Sequence, residues 1–233
     1  MNARRVFREV AAAGAGAARV VVGPGAGRNQ TCQCVLAQLG AGRQRHGLLQ
    51  RLHGARHVVQ AIHAQAAQLE RRQAGARLVP KLIARDGVDL VIANAENSAS
   101  GIGVTPDSAD ELLAAEVNLL TSGNHIWAKR EIVPYLERPG CRLLRPANYP
   151  AGAPGRGHAV VETPDGRKLG VLNLEGRVFM KSLDDLFPIA RRPVGGLQSQ
   201  GRIAILVGLH CQATSGDKAL GWFLDGQGSA GVG

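Results

Sequence analysis

Lysine and serine are missing from the first 78 residues, and Phe7 is the only aromatic residue there. All 12 basic residues of that stretch are arginine, set in a mixture of Ala, Gly, Gln and His. Such a segment has too little large apolar surface to offset the entropy of ordering it. Residues 1–70 are therefore expected to be disordered or only locally helical and to stand outside the fold, which would occupy 71–233. An Arg/Ala/Gly mixture without Lys is also what a GC-rich gene yields when read in another frame.

Cysteine is scarce as well. Cys32, Cys34, Cys141 and Cys211 make no disulfide framework for a chain of 233 residues, which points to a reducing, cytoplasmic setting. Cys32 and Cys34 with His46, His53, His57 and His63 have no standard zinc-finger spacing. No apolar run approaches the roughly 18 residues that a membrane span needs. Arg4, Arg5 and Arg8 precede an Ala/Val stretch as in a signal peptide, but Glu9 and Arg19 interrupt it, and the missing serine argues against a transit peptide.

The formal net charge is +10. Residues 1–78 hold 12 Lys+Arg and 2 Asp+Glu, and residues 79–233 hold 16 of each, so the first third carries the whole imbalance. A basic segment invites nucleic acid. Here it lacks interleaved aromatic residues and any readable nucleic-acid module, so nucleic-acid binding stands as the alternative reading.

From about residue 78 regular elements can be read. Leu78 to Arg85 suggests a helix with Pro80 near its start, and Val88 to Ala93 a buried parallel strand. Thr105 suits the N-cap of a helix over Pro106 to Glu116. Val117 to Thr121 reads as the next strand, and Ala128 to Glu137 as a short helix. His158 to Glu162 and Lys168 to Leu174 flank Pro164-Asp165-Gly166 as a hairpin. Arg202 to Val207 is a further buried strand, and Lys218 to Phe223 has helical turns. Strands alternating with helices predict an α/β fold. Trp127 and Trp222 read as core or cleft-wall residues, and Gly101-x-Gly103 as a flexible loop.

Three of these strands run straight into residues able to bind a metal. The first delivers Glu96 and Asn97, the second Asn124 and His125, the third His210. Singly, an Asn-Glu-Asn loop, a Gly-Asn-His turn or a histidine after a strand is ordinary turn chemistry. Together they fit a site, because α/β folds gather functional groups beyond the carboxyl ends of strands. A carboxylate, amide oxygens and imidazoles could hold divalent cations that activate a phosphate.

The segments ANAENSASGIGVT (93–105), TSGNHIWAKREI (121–132), LLRPANYPAGAPGRG (143–157), VLNLEGRVFM (171–180), LDD (183–185) and HCQATSGDKALGWFLDG (210–226) occur in one order. In that combination, from about Arg71 onward, the chain resembles the YmdB-type metallophosphoesterases of the calcineurin-like superfamily. The resemblance implies an αββα sandwich and a 2′,3′-cyclic-nucleotide phosphodiesterase using two divalent ions (Fe, Mn, Mg or Zn). Its substrate would be a cyclic nucleotide or an RNA 2′,3′-cyclic end, and homo-oligomerisation is compatible with it. Carried over, Glu96 would bridge two metal ions, Asn97 would contact the site, Asn124 and His210 would bind metal, and His125 would be the general acid.

The departures from that pattern carry expectations of their own. The family opens with a strand ending in Gly-Asp, whose aspartate is a ligand; no such strand is readable here, so the edge beside Val88 to Ala93 is expected to be open. The Ser229-to-Gly233 run leads up to the family's Thr-His-Thr-His, which does not follow in this sequence. Gly208 stands where an Asp is usual and Gln212 where a Glu is usual. These differences predict an incomplete sandwich and an impaired enzyme, or an inactive gene fragment.

Overall fold

In the computed structural model, residues 60–62, 69–99, 101–199, 204–225, 227 and 230–232 are described. The Cys32/Cys34 and histidine cluster, and most of the arginine-rich segment, lie outside them.

Period-two alternation in the apolar strands determines the layering. The first sheet orders β1 (Gln60–Ile62), β2 (Val91–Asn94), β3 (Leu119–Thr121) and β4 (Leu143–Leu144), all parallel. The second orders β5 (His158–Glu162), β6 (Lys168–Glu175), β7 (Ala204–His210) and β8 (Ala230–Val232). Its β5–β6 pair is antiparallel and the rest parallel. Ile92, Leu119 and Leu144 meet Leu169, Val171 and Leu206 in one cluster, so the two sheets pack face to face.

The alternate residues face outward to helices. Val91, Ala93, Leu120 and Leu143 join Val79 of α1 (Leu69–Asp86), Ala109 and Leu112 of α2 (Pro106–Ala114), and Ile132, Tyr135 and Leu136 of α3 (Ile132–Leu136). On the other side Leu172, Leu174, Ile205 and Val207 pack on Leu186, Ala190 and Val194 of α4 (Leu186–Ser199) and Leu220 of α5 (Thr214–Phe223). The α/β class and the αββα layering implied by the resemblance are the observed ones. Each fully buried Leu or Ile of these clusters contributes roughly 1.5–3 kcal/mol.

Several local expectations hold. The hairpin forms where the Pro-Asp-Gly turn places it. Thr105 caps α2 through a reciprocal capping box with Ser108.

Others need correction. The edge of β2 is not open, because Gln60–Ile62 pairs with Val91–Ala93. Thus three residues from the stretch expected to stand outside the fold enter the sheet. The first helix begins at Leu69 rather than Leu78 and carries Pro80 inside it. Trp222 is 82% exposed and is no core residue, whereas Trp127 packs against the first core and meets Tyr149 edge-on at 5.5 Å. Among the described residues, no helix is long and apolar enough to cross a membrane.

Candidate active site

The carboxyl ends of β2, β3, β6 and β7 deliver their side chains to one place. After β2, the Asn94 side-chain oxygen accepts from the Glu96 amide at 2.8 Å, turning the chain so that Glu96 points inward with only 2% exposure. After β3, the Ser122 hydroxyl donates to the Leu144 carbonyl at 2.7 Å and steadies the start of the Gly123-Asn124-His125 turn. The backbone amide of His125 then donates to Glu96 Oε1 at 2.7 Å. His210 closes β7 and brings Nε2 to 3.0 Å from Glu96 Oε2 and 2.8 Å from Asn124 Oδ1.

Gly123 makes this convergence possible. A Cβ built there would overlap both Glu96 Oε2 and the His210 ring. The glycine of the Gly-Asn-His turn is therefore required for close approach rather than for left-handed backbone.

The electrostatics are those of a site short of positive charge. Glu96 Oε2 is buried without a hydrogen-bond donor. Burial, chiefly, pushes the Glu96 carboxyl up to about 7; the His125 amide and the Lys181 ammonium pull it down, and the Glu175 charge adds to the rise. His125 Nδ1 lies 3.1 Å from Glu96 Oε1 but without hydrogen-bond geometry, and Nε2 is 3.3 Å from Asn124 Nδ2. Burial, and then Lys181, lower the proton affinity of His125.

A carboxylate oxygen with no proton donor, an imidazole nitrogen and an amide oxygen gathered within about 3 Å suit a divalent cation better than they suit one another. Glu96, Asn124 and His210 therefore fit such an ion. The set is small: among the described residues, no group of three His, Cys, Asp or Glu side chains is arranged to hold a metal.

Of the five residues singled out from sequence, Glu96, Asn124, His125 and His210 are brought together. Asn97 serves its own loop. It sits at φ 63° and its Oδ1 accepts from the Gly103 amide at 3.2 Å.

Sequence reasoning gave no role to Glu175, Asn148, Asn173, Tyr149 and Lys181, although the first four lie in the quoted segments. Glu175 ends β6 in register with His210 and is fully buried, and neither of its carboxylate oxygens has a donor in hydrogen-bond geometry. Burial raises its proton affinity, partly offset by the Tyr149 hydroxyl and Lys181. Asn148 clamps the Glu175 backbone from both sides, at 2.8 and 2.9 Å. Asn173 donates to the Ser122 carbonyl at 2.8 Å and so ties the two sheets together beneath the site. Lys181 Nζ donates to the Asn124 carbonyl at 2.9 Å. A buried Asn inside an apolar strand, as in VLNLE, is the one sequence signal that marked these clamps.

Comparison with known proteins gives the chain relatives in sequence and in fold. Over 155 residues the chain is 39% identical to the 2′,3′-cyclic-nucleotide 2′-phosphodiesterase of Bacillus subtilis (strain 168), covering 66% of this chain and 58% of that protein. A hypothetical protein from Thermus thermophilus superposes with a TM-score of 0.65 at 36% identity, over 72% of this chain and 64% of that one. A novel phosphatase from Mycoplasma pneumoniae does so with a TM-score of 0.59 at 25% identity, over 72% and 59%. The chain thus spans less than two thirds of each relative. The family model described as YmdB-like protein matches residues 70–233, and the chain belongs to that family.

Proposed function

We propose that this chain is a cation-dependent phosphodiesterase acting on 2′,3′-cyclic nucleotides. The observation that carries this reading is the meeting of Glu96 Oε2, Asn124 Oδ1 and His210 Nε2 in the space left by Gly123, with His125 beside them. The name of the Bacillus subtilis relative supports the substrate class.

Glu96, Asn124 and His210 would hold a divalent cation, of the Fe, Mn, Mg or Zn type. Such an ion, when bound, polarises a phosphate oxygen and lowers the pKa of water. Glu96 would be the anchoring carboxylate, held in place by the His125 amide and the Asn94 turn. The half-exposed His125 imidazole would give a proton to the departing ribose oxygen. Lys181, at the Asn124 carbonyl, adds a positive charge to the mouth of the site for the anionic substrate. Asn97 would act indirectly, by bracing the loop that follows Glu96.

Two cations would need further donors, which in the family pattern are an aspartate and two histidines. The described residues bring Glu96, Asn124 and His210 together, with the His125 imidazole 3.1 Å from Glu96 and the buried Glu175 carboxyl in register with His210.

The test is metal analysis after loading with Mn or Zn, paired with hydrolysis of 2′,3′-cyclic AMP. Bound metal that is lost in Glu96→Ala, and turnover that His125→Ala lowers by ~10²–10⁴-fold, are expected. Absence of both metal and hydrolysis would overturn the function itself.

A further inference from the structure

The loop 176–185, between β6 and α4, reaches the site through Lys181. It is tied down at both ends and in the middle. The Gly176 amide donates to the His210 carbonyl at 2.9 Å. The Asp184 amide donates to the Asn148 carbonyl at 3.1 Å, and the Asn148 side chain donates back to the Asp184 carbonyl at 3.3 Å. Lys181 Nζ reaches the carbonyl of Asn124, the residue before His125.

Between these ties the backbone does something uncommon. Phe179 sits at φ 62°, in the left-handed region that bulky side chains avoid. Burial of the ring does not compensate for this conformation, because Phe179 is 85% exposed, the most of any large apolar residue among those described. Val178 beside it is 49% exposed. The anchors thus hold an aromatic ring in water. Its Cα can lie no more than about 7 Å from that of Lys181, two residues away. A strained backbone that presents an otherwise idle group next to a reactive cleft is a recurring mark of ligand contact.

We propose that Phe179 is the stacking platform for the base of the nucleotide, a positioning residue for the reaction proposed above and resting on that reading. A nucleoside 2′,3′-cyclic phosphate carries its anionic ring and its base on one ribose. With the phosphate at Lys181 and His125, the base would extend away from them toward solvent, where the exposed Phe179 ring, two residues from Lys181, would meet it. Every base has a π face, so the platform favours a nucleoside over a bare sugar phosphate without choosing strongly among bases.

The experiment compares adenosine 2′,3′-cyclic phosphate with methyl riboside 2′,3′-cyclic phosphate, which has the same reacting group and no base. Binding is measured by calorimetry on cation-loaded chain carrying His125→Ala, so that neither ligand is consumed. Phe179→Ala should weaken the adenosine ligand about 5- to 150-fold, leave the base-free ligand unchanged, and spare the fold. Phe179→Trp should keep the preference for the adenosine ligand. Equal loss for both ligands, no loss for either, or a change of oligomeric state without loss of base preference overturns the platform. Binding of the base-free ligand alongside such a result leaves the phosphodiester reading standing. If the unsubstituted loop binds neither ligand, that reading and the platform fall together.

Discussion

At the scale of single residues, the site depends on an atom that is not there. Gly123 leaves the volume in which Glu96 Oε2 and the His210 ring come together. Gly123→Ala should abolish cation binding while the far-ultraviolet circular dichroism stays native, because the clash falls on the Glu96 and His210 side chains rather than on the two cores. Retained metal affinity in that variant would show that the two side chains have room to separate and still bind. Gly208 is the contrasting case. A Cβ there meets nothing nearer than 3.8 Å, so the absence of a side chain is not forced by packing. This distinction was hidden from the sequence, where both positions are simply glycines beside candidate ligands. The candidate site residues themselves were legible, because Glu96, Asn124 and His125 follow apolar strands and His210 closes one. Asn97 was not, since its neighbour's role is no guide to its own: the left-handed backbone turns its amide toward Gly103.

At the scale of elements, legibility followed apolar runs and turn chemistry. VDLVIA, VNLLT and RIAILV betray buried strands, and Pro164-Asp165-Gly166 betrays the hairpin. α4 was missed because Pro188, Pro193, Gly195 and Gly196 all read as breakers, although its Leu186, Ala190 and Val194 repeat at helical spacing. β1 was missed for a different reason. Its three residues, Gln-Ala-Ile, sit in a compositionally biased stretch and become a strand only through pairing with β2. That pairing has a consequence that deletion can test. Removing residues 1–59 keeps β1, whereas removing 1–68 uncovers the edge of β2 and invites association between chains. The longer deletion should therefore unfold at lower urea and aggregate at concentrations that the shorter one tolerates. Indistinguishable behaviour of the two would mean that β1 contributes nothing to the sheet.

For the molecule as a whole, the buried carboxyls couple stability to pH. Glu96 has its pKa raised from 4.5 to about 7, and Glu175 is raised as well. A carboxyl with a higher pKa in the folded state binds more protons folded than unfolded, so stability falls as pH rises from about 4.5 to 7. For Glu96 the effect is on the order of 3 kcal/mol. In chelator, the melting temperature should drop across that window, and Glu96→Gln should flatten the drop. Saturating Mn should reverse it by binding the deprotonated form. A chelated protein that grows more stable between pH 4.5 and about 7 would contradict the burial argument.

Glu96, Asn124 and His125 hang from one sheet, and Glu175 and His210 from the other, with Asn173 spanning the two. The site is thus a clasp across the seam between the sheets. Any route to unfolding that parts the layers along Ile92, Leu119, Val171 and Leu206 must first open the clasp. An ion held there acts on the way out of the native state rather than on the way in, so occupancy would lengthen the protein's lifetime more than it would hasten its assembly.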